Sequence, residues 1–169
     1  MKTPIAVARS GRGREGARLL QSRKIVAFVA TTNPPRAKEF YAKTLGLRLV
    51  SEDSFALVFD AAGTMLRVAT VRELQPAGYT VLGWLVPDIQ KSVRALQDRG
   101  VEFRRYEWME QDDQGIWTAP GGAQVAWFGD PDGNTLSLTQ AGGRARKRAK
   151  AKDKASKARR STRRSASRR

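Results

Sequence analysis

The chain has 169 residues, enough for one domain with tails, and carries 32 Lys/Arg against 16 Asp/Glu, a formal net charge of +16. It has no cysteine, which excludes disulfides, thiolate metal sites and cysteine nucleophiles, and no histidine, the commonest metal ligand and the commonest general base near neutral pH. No apolar run approaches the roughly 18 residues of a membrane span, and no apolar stretch of a secretory signal stands near Met1.

The charge sits at the ends. Residues 1–23 hold six Lys/Arg and one acid, residues 24–140 twelve and fourteen, and residues 141–169 fourteen and one. The middle is therefore a slightly acidic domain between basic segments. Residues 1–23 read as a flexible Arg/Gly/Ser-rich arm; an Arg-rich, acid-poor start is also compatible with an organelle transit peptide.

Residues 24–30 form the first expected strand. Asn33 is a fitting N-cap and Pro34 a fitting first helical residue, and Ala37, Phe40, Tyr41 and Leu45 share one helical face up to a stop at Gly46. Three strands are expected next, at 48–51, 55–60 and 64–70, with Gly63 turning the last pair. A connector with Pro76 and Gly78 leads to a second round: a strand at 79–86, a helix from Pro87-Asp88 to about Arg99 ended by Gly100, and a strand at 101–106. A loop at 107–122 follows, long enough for a lid or binding loop, with an extended piece at 116–118. Strands at 123–128 and 135–140 close the domain. Between them Asp130-Pro131-Asp132-Gly133 is a turn, because Pro131 pre-sets its φ and Gly133 takes a positive φ without steric cost. The fold class expected is α+β: two βαβββ modules, about 24–73 and 79–140, whose curled, antiparallel-rich sheets surround a cleft.

Two pieces carry a family resemblance. Phe40-Tyr41 with Leu45-Gly46-Leu47, and Asp130-Pro131-Asp132-Gly133-Asn134 with Leu136 and Leu138 some ninety residues later, resemble the vicinal oxygen chelate superfamily of glyoxalases, extradiol dioxygenases and bleomycin-resistance proteins. The resemblance spans residues 24–140 and marks the fold better than the reaction. Enzymes of that superfamily hold a divalent metal with His and Glu from four strands. Carried over, those positions fall on Val26, Arg67, Val81 and Ser137, two aliphatic residues, a cation and a hydroxyl. No Asp or Glu stands in strands 25–30, 64–70, 79–86 or 135–140, so a one-residue slip restores nothing. No metal and no cofactor is expected.

What the resemblance leaves is a binding surface. By strand parity Val26, Phe28, Arg67, Val81, Gly83, Leu85, Ser137 and Thr139 should face the cleft, an apolar floor with one cation and two hydroxyls. Arg67 suits a carboxylate or phosphate, unless it pairs with Glu73 or Asp60 or reaches into solvent. Trp84 has the parity of the core, and one of Trp127 and Phe128 must face each way. Trp108 and Trp117, at the long loop, suit closure over a flat ligand or a dimer seam. Glu107, Glu110, Asp112 and Asp113 form an acidic cluster in that loop, read as a cation site or as a solvated loop.

The C-terminal segment 141–169 lacks aromatics and any apolar residue larger than Ala, so it is expected to be disordered. Its Arg144, Arg146, Lys147, Arg148, Lys150, Lys152, Arg159, Arg160, Arg163, Arg164, Arg168 and Arg169 suit phosphate backbones without base stacking or sequence preference. The reading is a metal-independent protein that binds a small organic molecule in its cleft and nucleic acid or another polyanion through its tail. It would be cytoplasmic and nucleoid-associated, and a homodimer is compatible with it. Two alternatives stand beside it: a glyoxalase- or dioxygenase-like enzyme with an atypical metal site, and an interaction module with a vestigial cleft.

Overall fold

The structure, a computed structural model, describes residues 20–21 and 23–143. The tail residues named above from Arg144 onward, and nearly all of the N-terminal arm, lie outside the described residues.

Alternation builds the first sheet. Strand β1 (Val26–Thr31) runs parallel to β4 (Thr64–Thr70), and β4 pairs antiparallel with β3 (Ala56–Ala61), which pairs with β2 (Arg48–Glu52), giving the order β1-β4-β3-β2. The second sheet repeats this as β5-β8-β7-β6, from β5 (Leu82–Leu85), β6 (Trp117–Thr118), β7 (Gln124–Gly129) and β8 (Thr135–Gln140), with β5 and β8 parallel. The two sheets are thus mixed and open, and their edge strands β1 and β5 lie next to each other.

One face of each sheet is covered by helices. Helix α1 (Pro34–Glu39) packs on β3 and β4, and α2 (Ile89–Gln97) on β7 and β8. Asn33 and Asp88 cap them as N-caps, accepting from Arg36 N and Lys91 N. A single core runs beneath both. Val29, Phe59, Leu66 and Val68 of the first sheet join Ile89, Val93, Phe128 and Leu136 of the second module in one buried cluster. The helix-free faces of the two sheets therefore lie on a common side of the molecule.

Three elements depart from the sequence expectation. The first helix does not run regularly to Leu45; from Phe40 to Thr44 it widens into a π-turn, in which Leu45 N donates to Phe40 O at 2.9 Å. The register of that turn keeps Tyr41 fully buried while Gly46 ends the helix at φ 72°. Residues 101–106 do not form a strand. Phe103 makes a lone bridge to Phe128, and the module's second strand is Trp117–Thr118 instead. The reason is Ile116, only 2 % exposed, which anchors the end of the long loop in the core and brings Trp117 onto β7. Strand β5 is also shorter than expected: Val81 precedes it, donates its N–H to Thr135 O and packs on the core.

The modules are fastened by a buried polar cluster. Asp130, 7 % exposed, accepts at Oδ2 from Tyr41 Oη and Asn134 Nδ2, both at 2.8 Å, and at Oδ1 from the N–H groups of Asp132 and Asn134. Asn134 Nδ2 also donates to Ala30 O at 2.8 Å. Asp132 accepts from Thr31 Oγ1 at 2.6 Å and from Thr32 N and Oγ1 at 2.8 and 2.7 Å. Every one of these side-chain bonds from residues 30–41 crosses to the β7–β8 turn of the other module.

Desolvation by burial disfavours the Asp132 carboxylate, but its bonds from Thr31 and Thr32 outweigh that and hold its pKa below the usual value. A depressed folded-state pKa contributes stability above the unfolded value of about 4, and that stability is lost as pH falls through the folded value. Acidification from about pH 5 to pH 3 should therefore lower the melting temperature more for the native protein than for Asp132→Asn, whose contribution no longer titrates; equal losses would exclude Asp132 as a source of acid sensitivity.

Candidate ligand-binding face

The helix-free face is built by the residues that alternate with the core. On the first sheet Val26 pairs with Met65 and Phe28 with Arg67, and Val58 lies beside Arg67 on the next strand. Val26, Phe28 and Met65 are 41 %, 61 % and 46 % exposed, large apolar side chains that the described residues leave open. On the second sheet Gly83 pairs with Ser137, Leu85 with Thr139 and Trp127 with Ser137, which places them on one face. Gly83 is required there by close approach: a Cβ at that position would stand 2.7 Å from Ser137 Oγ. Gly83→Val should displace Ser137 and cost on the order of 2 kcal/mol in stability, read from urea denaturation.

Arg67 projects from the middle of β4. Neither Asp60 nor Glu73 pairs with it: Asp60 bonds Arg48 at 3.0 Å, and no ion pair involves Arg67 among the described residues. Arg67 acts weakly on Asp53, whose carboxyl is held below the usual range mainly by the N–H groups of Phe55 and Ala56.

An aromatic wall stands on the second sheet, and only part of it was anticipated. Phe128 turns into the core against Trp84 and Phe103, which leaves Trp127 on the open face. Trp127 donates its Nε1–H to Thr80 Oγ1 at 3.1 Å and contacts Tyr106 and Trp117, with ring centroids 5.7 and 6.2 Å away. Trp108 packs against Tyr106 at 5.6 Å yet stays 77 % exposed. Tyr106, Thr80 and Met65 were not singled out from the sequence, and Trp127 only as one of a pair with Phe128 whose faces were left open. Parity carries the signal for Met65, and for Trp127 it becomes legible once Phe128 is assigned to the core.

The long loop is folded rather than loose. Gln111 accepts from Tyr106 N at 2.8 Å and donates to Arg104 O and Gly115 O, while Asp112 Oδ1 accepts from Gln114 N and Ile116 N. Asp112 thus serves the turn, and among the described residues no group of three or more acidic side chains could hold a metal ion. Glu107, Glu110, Asp112 and Asp113 are all exposed to solvent.

The donor set expected of a metal-holding relative does not fit either. Val26 and Val81 offer no lone pair, Ser137 lies against Gly83, and Arg67 would repel a cation. Nor is Tyr41 a proton-transfer group near neutral pH: burial, with Asp130 beside it, drives its phenol pKa far above the ordinary value.

The sequence model of the Glyoxalase/Bleomycin resistance protein/Dioxygenase superfamily matches residues 24–138, and the chain belongs to that superfamily. Solved structures agree on the fold. A member of the superfamily from Sphaerobacter thermophilus aligns with a TM-score of 0.55 and 24 % identity, over 70 % of this chain and 96 % of its own. A glyoxalase family protein from Enterococcus faecalis aligns at 0.56 with 20 % identity, over 71 % and 99 %. A lactoylglutathione lyase from Agrobacterium tumefaciens aligns at 0.56 with 13 % identity, over 71 % and 94 %. No curated protein matches the sequence.

Proposed function

We propose that this protein binds a small organic acid with a flat apolar body on the helix-free face of its sheets, without a metal. The observation that carries the reading is the pairing of an ion-pair-free Arg67 with exposed Phe28 on one sheet, facing the same side as the Trp127 wall on the other. An arginine fork holds a carboxylate or phosphate in two parallel bonds, and apolar and aromatic walls hold the rest. The missing ligand set argues against the glyoxalase- or dioxygenase-like alternative. Exposed Val26, Phe28, Met65 and Leu85 also suit a second copy of the chain closing over the face, so that ligand binding and dimerisation would share one surface. Titration with aromatic acids such as benzoate and naphthoate should quench tryptophan fluorescence, and Trp127→Phe should remove most of the signal. Quenching that survives Trp127→Phe unchanged would move the site elsewhere.

For the C-terminal segment we propose non-specific attachment to nucleic acid or a similar polyanion, supported by its fourteen Lys/Arg against one acid. Affinity for duplex DNA should fall steeply with salt and should be lost on truncation after Gln140, whatever the base sequence. Affinity that survives truncation would contradict this assignment, and would favour a nucleic-acid surface on the domain itself.

A further inference from the structure

On the opposite, helical side lies a recess of about 490 Å³, within the usual range for small-ligand pockets. It opens between the modules: α1 and its π-turn form one wall, and the end of α2, residues 100–104 and the β7–β8 turn form the other. Three arginines from two separate segments line it, Arg36 from α1 and Arg99 and Arg104 from the stretch after α2. None of them forms an ion pair among the described residues.

Two of the guanidiniums are held in place. Arg104 donates Nη1 to Thr135 Oγ1 at 2.8 Å and Nη2 to Gly133 O at 2.9 Å, and lies flat over Gly129, where a Cβ would stand 3.1 Å from Nη2. Its Nε–H makes no bond among the described residues. Arg99 donates Nη1 to Thr44 O at 2.9 Å and keeps its remaining N–H groups. The opposing acids are Glu102 and Asp130 in the lining, and Asp132, which feels the charge of Arg36. Asp130 and Asp132 spend both carboxylate oxygens on the clamp between the modules. Glu102 is the lining acid with no side-chain hydrogen bond among the described residues. Phe40, Val101 and Phe103 supply apolar wall.

We propose that this recess is a second binding site, for a small oxyanion carrying an apolar group, such as a phosphate monoester or a carboxylate. It does not depend on the reading of the helix-free face, since it shares no residue with it. The fixed edges of Arg99 and Arg104 receive the anion, Arg36 closes from the exposed side, and the two phenylalanines hold the apolar part. Because the walls come from both modules, an occupant would also bridge them.

Phenyl phosphate titrated into the ¹⁵N-labelled full chain tests this at moderate salt, where attraction to the basic tail is screened. The amides of Gly100, Glu102 and Gly129 should shift together and saturate. Arg36→Gln with Arg99→Gln should weaken binding about tenfold or more, the loss of charge-assisted hydrogen bonds. Glu102→Gln should tighten it. Shifts confined to the tail, absence of saturation, or an affinity indifferent to the Arg36/Arg99 changes would overturn the proposal. The Glu102→Gln arm guards against a folding artefact, because damage to the recess cannot improve binding.

Discussion

Asp130→Ala is expected to cost about 4 kcal/mol, a large part of the stability of a domain this size. The change removes the acceptor for four donors at once: the Tyr41 hydroxyl, the Asn134 side-chain amide, and the N–H groups of Asp132 and Asn134. Tyr41 is fully buried and Asn134 is 4 % exposed, so both lose the partner the fold gives their buried polar groups. Tyr41→Phe deletes one bond and leaves the other three, so about 1 kcal/mol is expected. Asp130→Asn should fall between them, because an amide places a donor where one of the carboxylate oxygens received two. Chemical denaturation of the three variants reads these values. A loss below about 1 kcal/mol for Asp130→Ala would mean that apolar packing alone joins the modules.

The second large effect belongs to Arg67. Arg67→Ala should weaken binding of an aromatic acid by about a hundredfold, as expected when a bidentate charge-assisted pair is lost. Arg67→Lys should recover only a fraction of it, since an ammonium keeps the charge and loses the fork. Both variants should melt within a degree or two of the native protein, because no hydrogen bond or ion pair of Arg67 within the described residues is given up. Calorimetric titration separates the two substitutions. An unchanged affinity in Arg67→Ala would leave the aromatic wall as the whole site and make the ligand's charge irrelevant.

The parts of the fold that were legible in the sequence are those governed by local rules. Asn33 followed by Pro34, Gly46 at a helix end and Gly133 in the turn each solve a short-range problem, and each is found where those rules put it. The pieces that carried the family resemblance prove to be one structure: Tyr41 of the first meets Asp130 of the second across 89 residues. That explains why they mark the fold and are silent about chemistry. Their polar atoms are spent on joining modules.

Other features depend on tertiary competition that periodicity cannot see. Val101 to Tyr106 has the composition of a strand, yet Gln111 takes Arg104 O and Tyr106 N into the loop, so Phe103 and Arg104 keep only a bridge and one bond to β7, whose other end pairs with Trp117–Thr118. A single helix through Leu45 was the simplest pattern, but the π-turn allows Tyr41 to reach Asp130 while Gly46 still ends the helix. On the helix-free face, parity sufficed for Val26, Phe28, Arg67, Gly83, Leu85, Ser137 and Thr139, because one pairing fixes an entire strand. It misled at Val81, which lies before the strand begins and packs on the core. The arginine recess was invisible in the sequence, since Arg36 lies more than sixty residues before Arg99 and Arg104 and meets them only through the packing of both modules.

The most direct test of the central claim is a thermal-shift comparison on the full chain, with divalent metals in one arm and aromatic acids with chelator in the other. Whatever binds only the folded state raises the melting temperature by mass action. A rise with an aromatic acid in chelator, clearly reduced in Arg67→Ala, is expected, and no specific rise with any one metal. A rise with a single metal, abolished by chelator and indifferent to Arg67→Ala, would contradict that claim.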